Sequence, residues 1–124
     1  MDYTVFRSLD NELRVQIYLR CMGALIDDYI YKEHLSIRVV SDISSLSERA
    51  IYDIRNARKK PTMDTMLKLC TGLGIAVESF YRPLSPLYHA LWGEFLLAET
   101  EALYVDLSNY PHLAEQLERE RTLL

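Results

Sequence analysis

The sequence predicts an all-α protein, because its apolar residues recur at helical spacing and helix-capping residues precede several of the apolar stretches. Near the N-terminus an apolar residue recurs every four positions, at Leu13, Ile17, Cys21 and Leu25, which places these side chains on one face of a helix. Three later patterns each follow a residue whose hydroxyl can accept a hydrogen bond from an unpaired backbone N–H, namely Ser36, Ser47 and Thr62. Pro61 and Gly74 stand where helices are expected to end.

The composition indicates a single soluble domain. The chain has 124 residues, of which 49% are hydrophobic and 26% are charged, as is ordinary for a globular protein with one modest core. Its apolar runs are shorter than the ~20 residues needed to span a bilayer, and its N-terminus lacks a secretory signal pattern. We therefore expect a cytoplasmic protein with no membrane partner.

The residues that usually carry catalysis or bind metals are not arranged for either role. The three histidines, His34, His89 and His112, are far apart in the chain and lack the close Cys or His neighbours of a metal site. Cys21 and Cys70 both fall within helical patterns and are interpreted as small buried residues. No catalytic Ser/His/Asp spacing and no Gly-rich phosphate loop occurs, so we expect neither an enzyme nor a cofactor.

The net charge of −4 is distributed unevenly along the chain. Residues 35–61, called the basic segment below, hold six cations and three anions. Residues 1–34 hold four cations and six anions, and residues 62–124 hold four cations and nine anions. A basic segment between acidic flanks is typical of a DNA-facing surface. Because its net charge is small, we expect weak, salt-sensitive binding per subunit and therefore a dimer.

The predicted helices follow one another with short connections. The first begins at Asp10 or Asn11, and it either continues to about Lys32 or breaks near Gly23; both alternatives remain open. The next four are expected at about 36–43, 47–56, 62–72 and 77–80. The residues expected to be buried in the second and third helices are Val39, Val40, Ile43, Ala50, Ile51 and Ile54.

A boundary is predicted at residues 82–86, because Ser85 can cap a new helix and Pro86 suits its first turn. This helix is expected to run to about Leu107, with an apolar arc wide enough to be buried from two sides. The arc favours a homodimer interface, whose predicted residues are Leu91, Trp92, Phe95, Leu96 and Leu103. Packing of the same arc against the N-terminal helix is the alternative, and the two can coexist. A last helix is expected after Pro111.

The stretch Leu35–Pro61 has the pattern of a helix-turn-helix. The connection at residues 43–46 is too short for anything but two helices that cross at a steep angle. The second of these helices leads into the three consecutive cations at 58–60. In such an arrangement the second helix is the candidate reader of a DNA major groove.

These residues make the chain resemble the lambda-repressor-like (XRE) family of helix-turn-helix DNA-binding regulators. The matching positions are Leu35-Ser36, Val40-Ser41, Leu46-Ser47, Ile51, Ile54 and Lys60-Pro61, and the match continues through 61–81. The resemblance covers roughly residues 20–81. It implies a lambda-repressor-like five-helix DNA-binding core at 22–81, with a helical extension at 1–21 and a second, dimerising one at 82–124.

The resemblance also implies which residues meet DNA. Ser47 would cap the recognition helix and contact a phosphate, while Glu48, Arg49 and Asp53 would meet base edges. The whole predicted interface comprises Arg38, Ser47, Glu48, Arg49, Tyr52, Asp53, Asn56, Arg58, Lys59 and Lys60. Arg49 can donate two hydrogen bonds to a guanine, whereas residues 58–60 would lie along the phosphates. The alternative is a solvated face on which Arg49 and Asp53 pair with each other.

Four positions depart from the family pattern. Ile37 replaces a Gln, and His34, Ser45 and Ala57 stand where the family commonly has Gly. A left-handed backbone costs a non-Gly residue ~1–2 kcal/mol. The alternative is that the third helix continues through Ala57. This continuation would move the cations at 58–60.

The function expected from these observations is that of a sequence-specific DNA-binding transcriptional regulator. A repressor is favoured over an activator, acting as a homodimer on double-stranded DNA. The alternative is a protein-interaction module or antitoxin-like adaptor on the same fold, with weak or lost DNA binding. The acidic net charge and the departures from the family pattern favour this second interpretation.

Overall fold

The computed structural model describes residues 4–93 and 105–124. Every regular element within these ranges is helical, which confirms the all-α prediction. The α-helices are α1 (Asn11–Lys32), α2 (Ile37–Ser44), α3 (Glu48–Arg55), α4 (Met63–Leu73), α5 (Val77–Tyr81), α6 (Ser85–Trp92) and α7 (Pro111–Thr122). None of the described helices is long and apolar enough to cross a membrane.

The long helix α1 is the scaffold on which α3, α6 and α7 pack. It begins where Asp10 accepts a hydrogen bond from the Leu13 amide at 2.9 Å, and it continues without a break to Lys32. Of the two alternatives for the first helix, the continuous one is therefore the observed one. The predicted boundary between residues 21 and 22 falls inside this single helix.

Gly23, in the middle of α1, lies where the backbone of α3 approaches α1 closely. A Cβ atom at this position would overlap the backbone carbonyl oxygen of Arg55, the last residue of α3. The lack of a side chain thus allows α3 to end directly against α1. Gly72 has the same role between α4 and α2, since a Cβ there would lie 2.7 Å from the Val40 carbonyl oxygen.

The helix starts predicted from Ser36, Ser47 and Thr62 are confirmed. Ser36 accepts a hydrogen bond from the Val39 amide at 3.2 Å, and Ser47 accepts one from the Ala50 amide at 3.0 Å. Thr62 caps α4 in the same way. In each case the bond joins residues three apart. The start of each helix is therefore predictable from the sequence close to it.

The helix ends use left-handed residues. Within the described ranges, the non-Gly residues with positive φ are His34 (53°), Ser45 (65°) and Ala57 (56°). After α3, the amide of Ala57 bonds to the Ile54 carbonyl and that of Arg58 to the Asp53 carbonyl, at 3.1 and 2.8 Å. This is the Schellman pattern, which terminates a helix. The alternative in which α3 continues through Ala57 is therefore wrong.

The core is formed by apolar residues from all seven α-helices together with Phe6 and Leu84. Val40 is buried as predicted, but Val39 and Ile43 are wrongly predicted, since they are 41% and 54% exposed. The reason is that α2 turns the face bearing Val40 and Ser44 toward Gly72 of α4. The opposite side of this eight-residue helix is left to solvent.

The C-terminal half differs most from the prediction. Residues 82–86 are not an exposed boundary, because a 3₁₀ turn at Arg82–Leu84 joins α5 to α6 and buries Pro83 and Leu84. The first residue of α6 is Ser85, which does not cap it. This helix ends at Trp92 rather than near residue 107, because Gly93 adopts a φ of 64°.

Helix α7 docks on α1 through two buried leucines and two buried carboxylates. Leu113 and Leu117 face the core. Asp28 of α1 accepts hydrogen bonds from the amides of His112 and Leu113 at 2.8 and 2.9 Å, and so caps the N-terminus of α7. Glu120 receives two parallel bonds from Arg20 at 2.6 and 2.8 Å. The polar contacts of α7 thus fix its position along α1.

Candidate nucleic-acid interface

The outward face of α3 carries four of the predicted contact residues. Glu48, Arg49, Tyr52 and Asn56 are exposed, and their spacing places them within roughly 100° of the helix circumference. The other side of the helix is fixed in the core by Ile51 and Ile54. The capping residue Ser47 is also exposed. One side of a short, well-anchored helix is therefore open to a partner.

Asp53 does not belong to this face, and the expectation that it points away from the core is wrong. It is 7% exposed, and its carboxylate lies 3.5 Å from Arg58 Nη1 and 3.7 Å from Lys59 Nζ. The alternative pairing of Asp53 with Arg49 is not formed among the described residues. Because α3 ends two residues later, the chain turns back and brings residues 58 and 59 beside the carboxylate.

Arg55 is also turned away from the outward face. Its Nε lies 2.6 Å from Asp27 Oδ1 of α1, which fixes the end of α3 next to Gly23. The sequence carries no signal for this ion pair, because its partners are 28 residues apart. One cation of the basic segment is therefore structural.

The remaining cations of the basic segment have exposed head groups. Arg38, Arg49 and Lys60 are exposed, and none has a carboxylate within ion-pair distance among residues 4–93 and 105–124. The side chains of Arg58 and Lys59 are 65% and 74% exposed despite their contact with Asp53. All five lie on α2, on α3 or in the loop that follows α3. This set, together with Ser47, Tyr52 and Asn56, is called the candidate interface below.

Two of the five predicted dimerisation residues, Leu91 and Trp92, lie within the described part of the chain. Phe95, Leu96 and Leu103 lie outside the described residues. Leu91 is 2% exposed, so its side chain belongs to the core of its own chain. Trp92 packs against Tyr18 and Tyr88, with ring centroids 5.8 and 4.8 Å apart, as the alternative of packing on the N-terminal helix expects.

The cysteines are buried and free, as predicted. Burial raises the pKa of the Cys70 thiol to about 11 and raises that of Cys21 further. Both therefore remain protonated and unreactive at neutral pH. Among the described residues, no three His, Cys, Asp or Glu side chains are grouped so that they could hold a metal ion.

A polar groove of about 290 Å³ lies between α1, the end of α3 and α7. Its three arginines are each paired, in Arg20–Glu120, Arg55–Asp27 and Arg119–Glu115, at 2.6, 2.6 and 2.9 Å. A charged ligand of either sign would have to displace an existing ion pair. The groove is therefore a weaker candidate site than the candidate interface.

Comparisons with family models, with curated proteins and with solved structures found no match to this chain.

Proposed function

We propose that this protein is a sequence-specific DNA-binding regulator that inserts the outward face of α3 into the major groove. The observation that carries the proposal is the candidate interface itself. It combines an anchored, N-capped helix with exposed Arg49, Tyr52 and Asn56 and a following loop of three exposed cations. Cationic side chains around a helix of this kind neutralise phosphates while the helix reads base edges.

The backbone around α3 supports the proposal. His34, Ser45 and Ala57 adopt a left-handed conformation where the resembled lambda-repressor-like family commonly has glycine. The short path from α2 to α3 is consistent with a helix-turn-helix on a lambda-repressor-like core. The strain of ~1–2 kcal/mol per position is tolerated because each turn closes the end of a helix with backbone hydrogen bonds.

The chemistry of the exposed residues suggests separate roles. In the proposed complex Arg49 donates two hydrogen bonds to a guanine, and Asn56 is able to pair with an adenine. Ser47, Arg38, Arg58, Lys59 and Lys60 contact phosphates, which position the helix without specifying the sequence. Glu48, which is exposed beside Arg49, can accept a hydrogen bond from a cytosine amino group.

A dimer is part of the proposal, because the net charge of the basic segment is modest for one subunit. Two copies related by a two-fold axis would present their α3 helices ~34 Å apart, one turn of DNA. Of the predicted dimerisation residues that the structure describes, Leu91 is buried and Trp92 is partly buried. Repression follows most simply from occupation of a two-fold-related site.

A salt titration with a random-sequence duplex tests the proposal. Four phosphate-contacting cations per subunit predict that log K falls with log salt with a slope of roughly −3 to −4 per subunit. The measurement is fluorescence anisotropy between 50 and 300 mM salt, with the solution mass determined in parallel. A flat response would exclude this function.

Arg49→Gln provides the test of sequence reading, and Arg38→Gln is its matched control. Both arginines are exposed and lack a carboxylate partner among the described residues. In selections from a random pool, Arg49→Gln is expected to reduce discrimination at one base pair by ~1–3 kcal/mol. Arg38→Gln should weaken all sequences alike and reduce the salt slope by about 1. An unchanged preference for Arg49→Gln would remove it from the reading role.

A protein-interaction module is the second candidate function. It is favoured by the exposure of Val39 and Ile43, which lie one turn apart on α2 and form a small apolar surface beside the candidate interface. Replacement of both residues by Ser should leave DNA binding unchanged under the main proposal. Under the second, it should abolish capture of the protein partner, while the salt titration stays flat.

A further inference from the structure

Asp53 is the charged residue of α3 whose position the proposed function does not explain. Its side chain is 11% exposed, whereas Glu48 and Arg49 on the same helix are exposed. A carboxylate at such a depth loses hydration and requires partners that compensate the loss. Removal from the outward face also excludes it as a direct reader of bases.

The described partners of the carboxylate all come from the loop that follows α3. Arg58 Nη1 lies at 3.5 Å and Lys59 Nζ at 3.7 Å. The same residue holds the loop through its backbone, because the Asp53 carbonyl accepts the Arg58 amide at 2.8 Å. Asp53 thus fixes both the backbone and the charged end of Arg58.

The two cations keep most of their hydrogen-bonding capacity. At 3.5 and 3.7 Å the contacts are ion pairs rather than short hydrogen bonds, and the side chains are 65% and 74% exposed. Arg carries five N–H donors and Lys carries three. Donors that do not face Asp53 are therefore free to bind a phosphate oxygen.

We propose that Asp53 is a positioning residue, which holds Arg58 and Lys59 in place for a DNA phosphate next to the end of α3. This inference rests on the proposed function and reverses the role expected for Asp53 as a base contact. Long cationic side chains lose much rotamer freedom when they bind. A carboxylate that already confines them reduces this loss and strengthens the phosphate contact.

A double-mutant cycle between Asp53→Asn and Arg58→Gln tests the inference on random-sequence duplex. Asn keeps the size of Asp and removes the charge. In the wild-type background Arg58→Gln should weaken binding roughly three- to tenfold, as expected for one lost phosphate contact. In the Asp53→Asn background the same change should weaken binding less than twofold, because Arg58 is no longer held.

The sign of the coupling separates positioning from competition. If Asp53 merely competes with the phosphate for Arg58, the Arg58→Gln change would cost more in the Asp53→Asn background, and equal costs would show no coupling. Either result would overturn the inference. The control cycle replaces Asp53→Asn by Asp42→Asn, which removes an exposed carboxylate from α2 and is expected to show no coupling.

A measurement on the free protein keeps this inference separate from the proposed function. The ¹⁵N order parameter of the Arg58 Nε–H should fall in Asp53→Asn and stay unchanged in Asp42→Asn. If the wild type fails to bind DNA but this difference is found, the proposed function is wrong while the positioning contact stands. If DNA binding is found but Arg58 is equally mobile in all three proteins, the inference is wrong.

Discussion

Gly23 is the residue on which the close contact between α1 and α3 depends. Its missing side chain leaves room for the Arg55 carbonyl, and Asp27, one turn further along α1, pairs with the Arg55 guanidinium. Gly23 thus allows the end of α3 to approach α1, and Asp27 binds it through an ion pair. Both contacts set the point from which the loop with Arg58 and Lys59 begins.

Gly23→Ala is expected to destabilise the protein. Helix propensity alone would stabilise α1 by about 1 kcal/mol, but the new methyl group would force α1 and α3 apart. Overpacking of this kind costs ~1–3 kcal/mol or more, so the free energy of unfolding should fall. Urea denaturation followed by circular dichroism gives the sign of the change. A more stable variant would show that the two helices do not approach closely at this point.

Single residues also differ in how well local sequence patterns predict their positions. Ser36, Ser47 and Thr62 were predictable caps, because a cap is decided by residues three apart. The burial of Asp53 was not predictable, because its period on α3 favours solvent exposure. Its position depends on the turn at Ala57, where the choice between a left-handed residue and a continued helix was open.

Helix α7 is held on α1 by separate sets of apolar and polar contacts. Leu113 and Leu117 provide its apolar contact with the core, and Asp28 accepts its first backbone amides. The ring of His112 also contacts the Asp28 carboxylate, at 2.8 Å. The last turn is held by the Arg20–Glu120 pair. Contacts of this kind are directional and therefore specify one register along α1.

Asp28→Ala should loosen α7 more than any other helix. It leaves the amides of His112 and Leu113 without their acceptor, which is expected to cost ~1–3 kcal/mol. Amide hydrogen exchange should accelerate first in α7, at positions 113–120. Asp27→Ala is the neighbouring control, since its carboxylate pairs with α3 instead. Equal acceleration in both variants would argue against a specific cap.

At the scale of the whole molecule, buried acidic groups make the fold sensitive to alkaline pH. Burial is the main cause of the raised pKa values of Tyr18, Tyr29 and Cys21, and it raises the pKa of Cys70 to about 11. In the unfolded chain the thiols titrate near 9 and the phenols near 10. Above these values the unfolded chain releases protons that the folded chain retains, so stability falls as pH rises.

The free energy of unfolding is therefore expected to be full below about pH 8 and lower by at least ~1 kcal/mol at pH 10.5. Urea titrations at the two pH values measure the difference. Tyr18→Phe removes the phenol of a partly buried side chain and should lose less stability over the same interval. A midpoint independent of pH would contradict the burial of these side chains.

Local sequence patterns were enough to predict the all-α class, the starts of α1–α4 and a basic segment around α3. These features depend on residues a few positions apart, whose hydrogen bonds and periodicity are written along the chain. Helix packing determines which cations of the basic segment face solvent, why Val39 and Ile43 are exposed and where α7 docks. Those outcomes depend on partners 28 to 100 residues distant, as in Arg55–Asp27 and Arg20–Glu120. Contacts of such range follow from helix packing, which local patterns do not encode.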